Sequence, residues 1–299
     1  EERLVFPPNP DAEILHTEDG PAPSERVVLT PEDTVPGRKV LQAIDTLHSS
    51  MNLKAIHLAH PQSPLFQEAI ERIRFVGTKN IFIATNRQYE KIAREQAKPY
   101  KIPRENFIIE PALRDTASCI GLAASILKKK SGSEEVMSVI YADHLVKDQK
   151  EFKKLLLIAE EIAKKENTLI IIEVKARFPN TNLGYVKIGK LLKEIKGTEI
   201  YSFQKFVEKP NLEEAKKFLA SYKYLWNTGF YVWKIETILK KFHTHHPKTY
   251  KILEKISRNL ETPWEKQTIE KEYPHCEKIS IDYGIMEKVD PKEVRIIPA

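Results

Sequence analysis

Between residues 53 and 174 short apolar runs alternate with helical stretches, and this alternation constrains the fold more than any other feature of the chain. The runs are "LKAIHLA", "NIFIAT", "NFIIEP", "VMSVIYA" and "TLIIIEV". Between them lie 63–76, "NRQYEKIAREQA", "TASCIGLAASILKKK" and "KEFKKLLLIAEEIAKKE". Runs this short and this apolar suit strands covered on both faces, and the intervening stretches carry helical spacing. A Rossmann-like α/β fold follows, with a mainly parallel sheet flanked by helices. Right-handed crossovers then bring the carboxyl ends of the strands to one edge, where ligands bind in such sheets. After residue 175 the rhythm shifts to shorter strands, "GYVKI", "EIYSFQKFVEK" and "FYVWK", with helices expected at 211–223 and 235–258.

Residues 1–50 stand apart from this pattern. They hold seven prolines and one passable helix, "GRKVLQAIDTLHSS", and read as a short irregular arm or appended element before a domain spanning 51–299. The charge excess is small, +6 from 48 basic and 42 acidic residues, and much of it sits on amphipathic helices. That argues against a nucleic-acid partner and suits phosphorylated small molecules. No run reaches the roughly 18 apolar residues of a membrane span, and no signal pattern opens the chain. Cys119 and Cys276 lie far apart and outside any zinc or CxxC spacing, so a reduced, cytoplasmic protein without a membrane partner is expected.

Several residues at the expected sheet edge could carry chemistry. "VMSVIYA" delivers Asp143 and His144 to that edge, where a carboxylate can hold magnesium against phosphates or can simply cap the next turn. "EPALRDTA" sets Glu110, Arg114 and Asp115 before a helix beginning near Thr116. Its free N–H groups and the Arg114 fork suit an anion or a base edge, while Asp115 also suits an N-cap. "FVEKP" ends a strand with Glu208 and Lys209, suited either to a sugar hydroxyl and its phosphate or to a surface ion pair. "YLWNTGFYVW" places Trp226, Asn227 and Gly229 where a helix is expected to turn into a strand. "NLGYVKIG" places Gly184 where a ligand could lie against the backbone. "HTHH", with His243, His245 and His246, lacks partners at metal-site spacing and ends a helix before Pro247. There is no GxSxG, and Cys119 belongs to an apolar helix pattern, so nucleophilic catalysis is poorly supported.

Together, "SPLFQEAIERI", "NIFIATN", "NFIIEPALRDTASCIGLAA", "VIYADHLVKD", "NTNLGYVKIG", "FVEKPNLEEAKKFLASYKYLWNTGFYVWK" and "SIDYGIMEK" resemble the mannose-1-phosphate guanylyltransferases, or GDP-mannose pyrophosphorylases. These belong to the sugar-nucleotide nucleotidyltransferases, and the resemblance implies the nucleotide-diphospho-sugar transferase type of fold. The implied reaction joins GTP and mannose 1-phosphate into GDP-mannose with release of pyrophosphate, assisted by Mg2+. By matching position, Asp143 would be the metal ligand, with Asp143 and Lys209 as the catalytic pair and Lys209 on the sugar phosphate. Glu110, Arg114 and Thr116 would surround the nucleotide, and Gly184, Glu208 and Asn227 would hold the mannose hydroxyls. Asp282 and Glu287 lie in a matched motif without an assigned role, and a homo-oligomer stays open.

The chain departs from that family in two places. The family's first strand runs into a glycine-rich stretch of the form GGxGTRLWPLS and then a lysine-containing segment. Here "MNLKAIHLA" is separated from "SPLFQEAIER" by "HPQ" alone. The sequence also stops at "VRIIPA", where the family continues to a second metal carboxylate. The expectation is weakened chemistry, with two alternatives: a non-catalytic sugar-nucleotide-binding or regulatory relative, or an enzyme for another hexose 1-phosphate.

Overall fold

The computed structural model describes Val28–Leu29, Lys54–Leu58 and residues 65–299. Most of the expected arm, its helix "GRKVLQAIDTLHSS" and the "HPQ" connection lie outside the described residues.

The alternating half folds as its apolar pattern predicts. Strands β2 (Lys54–Leu58), β3 (Ile81–Asn86), β4 (Phe107–Glu110) and β5 (Val136–Tyr141) pair in parallel in the order β4–β3–β2–β5. Helices α1 (Leu65–Ile73), α2 (Glu90–Ala97) and α3 (Asp115–Ser131) connect them. The two-residue strand β6 (Leu145–Val146) follows the Asp143 loop and pairs with β1 (Val28–Leu29). Helix α4 (Gln149–Glu166) begins where the Asp148 side chain accepts the Glu151 N–H, and it leads into β7 (Leu169–Lys175).

The second half departs from a simple parallel continuation. The long hairpin β8 (Tyr185–Ile195) and β9 (Thr198–Val207) leads to α5 (Leu212–Ser221), which opens on a reciprocal Asn211–Glu214 capping box. Next comes β10 (Tyr224–Lys234), antiparallel between β5 and β7, and the final strand β11 (Val294–Pro298) lies between β7 and β9. Thus "WNTG" lies inside a strand rather than at a helix-to-strand turn. The expected helix 235–258 is two, α6 (Ile235–His245) and α7 (Pro247–Asn259). Pro247 lacks an N–H and pushes the preceding residue out of the helical region, and His246 sits at φ −136°, ψ 59°. A short helix α8 (Glu265–Glu272) and a π-helical turn, Asp282–Met286, complete the cover on this face.

Strand alternation sorts the core onto two faces. Ile170, Ile172, Phe230 and Val232 pack with Phe152, Leu155 and Leu156 of α4, whereas Ile171, Tyr231 and Trp233 pack with α3, α6 and α7. β10 also changes neighbours along its length. Tyr224, Leu225 and Trp226 pair with Lys187, Val186 and Tyr185 of β8, whereas Tyr231–Lys234 pair with β5. Strands β10, β7, β11, β9 and β8 therefore close into a ring, and the sheet splits at residues 227–229.

Candidate active site

That split forms the site. Where β10 leaves β8, the Asn227 N–H donates to the Gly184 carbonyl at 2.8 Å. Two residues on, where it joins β5, Gly229 stands against Tyr141 with φ +73°, and a Cβ there would lie 2.5 Å from the Tyr141 ring. Asn227 and Gly229 consequently flank a cleft whose opposite walls are the start of β8 and the end of β5. The β10 backbone is irregular between Trp226 and Phe230, which frees the Thr228 N–H from the ladder. Buried Glu173 of β7 accepts that N–H at 2.8 Å.

Gly184, Glu208 and Asn227 are brought together. A Cβ on Gly184 would fall 2.5 Å from Glu208 Oε2 and 3.3 Å from Asn227 Cβ, so the missing side chain is what admits the Glu208 carboxylate. Burial pushes the Glu208 carboxyl up to about 7, assisted by the nearby Asp282 charge and opposed by Lys209. Lys209, with its backbone at φ +44°, is exposed, and its Nζ lies 3.9 Å from Glu208 Oε1. Left-handed backbone at a lysine before proline is sterically unfavourable, and such strain concentrates at functional sites.

Asp143 lies just past the end of β5 with its side chain half exposed, and its Oδ1 is 3.0 Å from His144 Nδ1. The loop it occupies is pinned from below. Buried Arg72 of α1 donates to the carbonyl of His144 at 2.6 Å and to that of Tyr141 at 3.4 Å. Desolvation lowers the Arg72 guanidinium to about 10, which leaves it charged at neutral pH. Among the described residues no group of three or more His, Cys, Asp or Glu side chains could hold a metal. Asp143 alone fits the sparse protein ligation typical of magnesium, which keeps waters and takes substrate phosphates.

The three residues expected around the nucleotide occupy different environments. Glu110 is buried, accepts the Tyr273 hydroxyl and is bonded to Cys119; burial raises its carboxyl. Arg114 is partly exposed beside Cys276, whose thiol burial pushes up to about 12 against the opposing guanidinium. The Thr116 hydroxyl accepts the Ile281 N–H at 2.9 Å and is hydrogen-bonded to Tyr141. The start of α3 is partly occupied by the chain itself. Ala117 N–H donates to the Ile279 carbonyl at 3.1 Å, and Thr116 N–H donates to Asp115 Oδ1 at 2.7 Å. Asp115 is the first helical residue, at φ +63°, and the preceding Arg114 makes no side-chain cap bond, so the expected Asp115 N-cap is not found.

The structure also adds residues to which the sequence reading gave no role. Asp282, buried at the start of the π-helical turn, accepts the Tyr231 hydroxyl and, at 3.0 Å, the Asn227 amide. Burial raises its carboxyl, with the Tyr231 bond opposing. Burial likewise raises Glu173 well above the usual carboxylate range. A charged residue interrupting "TLIIIEV" and a tyrosine ending the strand before Asp143 were the available signals for Glu173 and Tyr141. Tyr231 sits in an ordinary aromatic strand and gave none.

Comparison with known proteins gives the family. The nucleotidyl transferase family model matches residues 47–267. A mannose-1-phosphate guanylyltransferase of Escherichia coli is 32% identical over 75% of this chain and 48% of its own length. The alginate biosynthesis protein AlgA of Pseudomonas fluorescens is 31% identical over 75% of this chain and 46% of its own. The chain therefore spans about half the length of the curated relatives it matches. A solved Thermus thermophilus structure described as mannose-1-phosphate geranyltransferase superposes with a TM-score of 0.68 at 25% identity, covering 83% of this chain and 74% of that one. With the family model matching residues 47–267, the chain belongs to the nucleotidyl transferase family, and it is similar in sequence to mannose-1-phosphate guanylyltransferases.

Proposed function

We propose that this chain transfers GMP from GTP to mannose 1-phosphate, giving GDP-mannose and pyrophosphate. The observation that carries the reading is the convergence of Gly184, Glu208 and Asn227 at the split in the sheet, on the same edge as Asp143. Glu208 offers its carboxyl and Asn227 its amide oxygen to sugar hydroxyls, and Gly184 leaves the room in which the Glu208 carboxylate sits. Lys209 supplies a cation for the sugar phosphate at the rim. In the reaction a phosphate oxygen of mannose 1-phosphate attacks the α-phosphorus of GTP. The P–O bond to the β-phosphate breaks, and the electron pair leaves with pyrophosphate.

This chain's contribution is orientation: Asn227 and Glu208 fix the sugar, and Lys209 offsets charge on the attacking phosphate. Magnesium, when bound, would be held by Asp143 and would neutralise phosphate charge. Arg72 keeps the Asp143 loop in place for that role. Free, buried Cys119 and Cys276 suit a reducing, cytoplasmic setting.

The test is pyrophosphate release from GTP and mannose 1-phosphate with magnesium. Turnover in the wild type, lowered about a hundredfold or more by Asp143→Ala, is the expected result. Turnover only with another hexose 1-phosphate refutes the sugar assignment. No turnover, with GDP-mannose still raising Tm, identifies a sugar-nucleotide-binding protein instead.

A further inference from the structure

The "HTHH" run leaves one histidine in an unusual position. His246 is 4% exposed at the break between α6 and α7, facing the segment that leads to Asp282. Its Nδ1 contacts the Glu277 carboxylate, and its Nε2 lies 2.9 Å from the Gly284 carbonyl. Both partners are hydrogen-bond acceptors, one on each side of the ring. The approach is close: a Cβ on Gly284 would lie 3.0 Å from His246 Nε2.

Gly284 belongs to the π-helical turn that carries Asp282. The rest of this segment is held by α3, through Ser118 Oγ to the Glu277 carbonyl, Ala117 N–H to Ile279, and Thr116 to Ile281. Past Ile281 the turn is held by Ser280, whose carbonyl accepts the Gly284 N–H at 2.8 Å and whose hydroxyl accepts the Tyr283 N–H at 3.3 Å, by the Tyr231 hydroxyl donated to Asp282, and from α6 and α7 by His246 at Gly284. Asp282 in turn decides which way the Asn227 amide faces. Gly229 N–H, a donor only, lies 3.1 Å from Asn227 Oδ1, while Asp282 accepts from Nδ2. A donor on one side and a carboxylate on the other orient the amide oxygen and nitrogen, with the Tyr231 hydroxyl 3.3 Å from Nδ2. We infer that His246 is a positioning residue for the sugar side of the site: by holding Gly284 it seats Asp282, which orients the Asn227 amide toward a sugar hydroxyl. This rests on the function proposed above.

Two replacements separate the ring's bonds. His246→Gln carries an N–H near the Nε2 position and keeps a donor for Gly284, whereas His246→Asn keeps a donor only near the Nδ1 position. Calorimetric Kd values for mannose 1-phosphate and GTP, with the Asn227 side-chain amide signals assigned by NMR, read the effect. The expected result is a Kd for mannose 1-phosphate raised about tenfold in His246→Asn and less than about threefold in His246→Gln. The GTP Kd stays within about twofold in both, and the Asn227 amide signals shift in His246→Asn alone. An unchanged Asn227 amide and sugar Kd in His246→Asn overturns the inference. So does an equal loss for both ligands tracking a fall in Tm, since that marks a general structural role. If the wild type ignores mannose 1-phosphate, the functional reading fails, and the Asn227 amide signals still decide the positioning role.

Discussion

Replacing Gly229 by alanine tests the close approach on which the cleft depends. Two penalties apply at this position. The backbone is left-handed, φ +73°, which costs an L-residue about 1–2 kcal/mol. The added Cβ also falls 2.5 and 2.9 Å from two carbons of the Tyr141 ring, and overpacking of this kind costs about 1–3 kcal/mol. Tyr141 cannot swing aside freely, because its hydroxyl is bonded to Thr116 and its carbonyl is held by Arg72. The sum is about 2–5 kcal/mol, or a Tm lowered by about 4–20 °C for a domain of this size. Urea unfolding of Gly229→Ala in the wild-type and Tyr141→Ala backgrounds separates the two penalties. Without the ring the increment should shrink to the backbone strain, about 1–2 kcal/mol. Increments equal within about 0.5 kcal/mol would show that Tyr141 is not what the glycine accommodates, and the account of the cleft wall would fail.

The remaining tests concern two carboxyls. Glu208 is raised to about 7 in the folded chain from an ordinary carboxyl value when unfolded, so the fold binds its proton more tightly. Its contribution is fully present at low pH and is lost as pH rises through about 7; Glu208→Gln should flatten the fall in stability between about pH 4.5 and 7, and an unchanged profile would refute the assignment. Tyr273→Phe removes the hydroxyl donated to buried Glu110 and should cost about 1–3 kcal/mol in denaturant unfolding. Mannose 1-phosphate affinity should survive that change, and a selective loss of nucleotide affinity would instead place Glu110 at the base.

The parallel half of the sheet was legible because β3 and β5 are buried on both faces and the helices between the strands carry strong spacing. Runs such as "VMSVIYA" have few other places to go. The reversal of β10 was not legible, since Asn227 and Gly229 have the chemistry of a turn and are depleted in strands. They are tolerated because β10 exchanges partners at that point: Asn227 still bonds back to Gly184, and Glu173 takes the N–H that Thr228 would have given a neighbour. Local sequence likewise marked Gly184, Glu208 and Asn227 one by one, and only the family resemblance grouped them, because their meeting depends on ring closure through β8, a long-range pairing without a local signal.

The same long-range pairing explains why turn-like residues and buried acids gather at one place. A strand that trades one neighbour for another leaves backbone groups unpaired and opens a gap between the neighbours. Glu173 answers the first consequence, and Gly184, Glu208 and Asn227 line the second. The turn bearing Asp282 meets the gap from the helical side through its bond to Asn227, and Gly284 in that turn lies close against His246. The candidate site therefore sits at an interruption of the sheet, and residues that look weak as strand formers, Asn227 and Gly229, stand where the interruption falls.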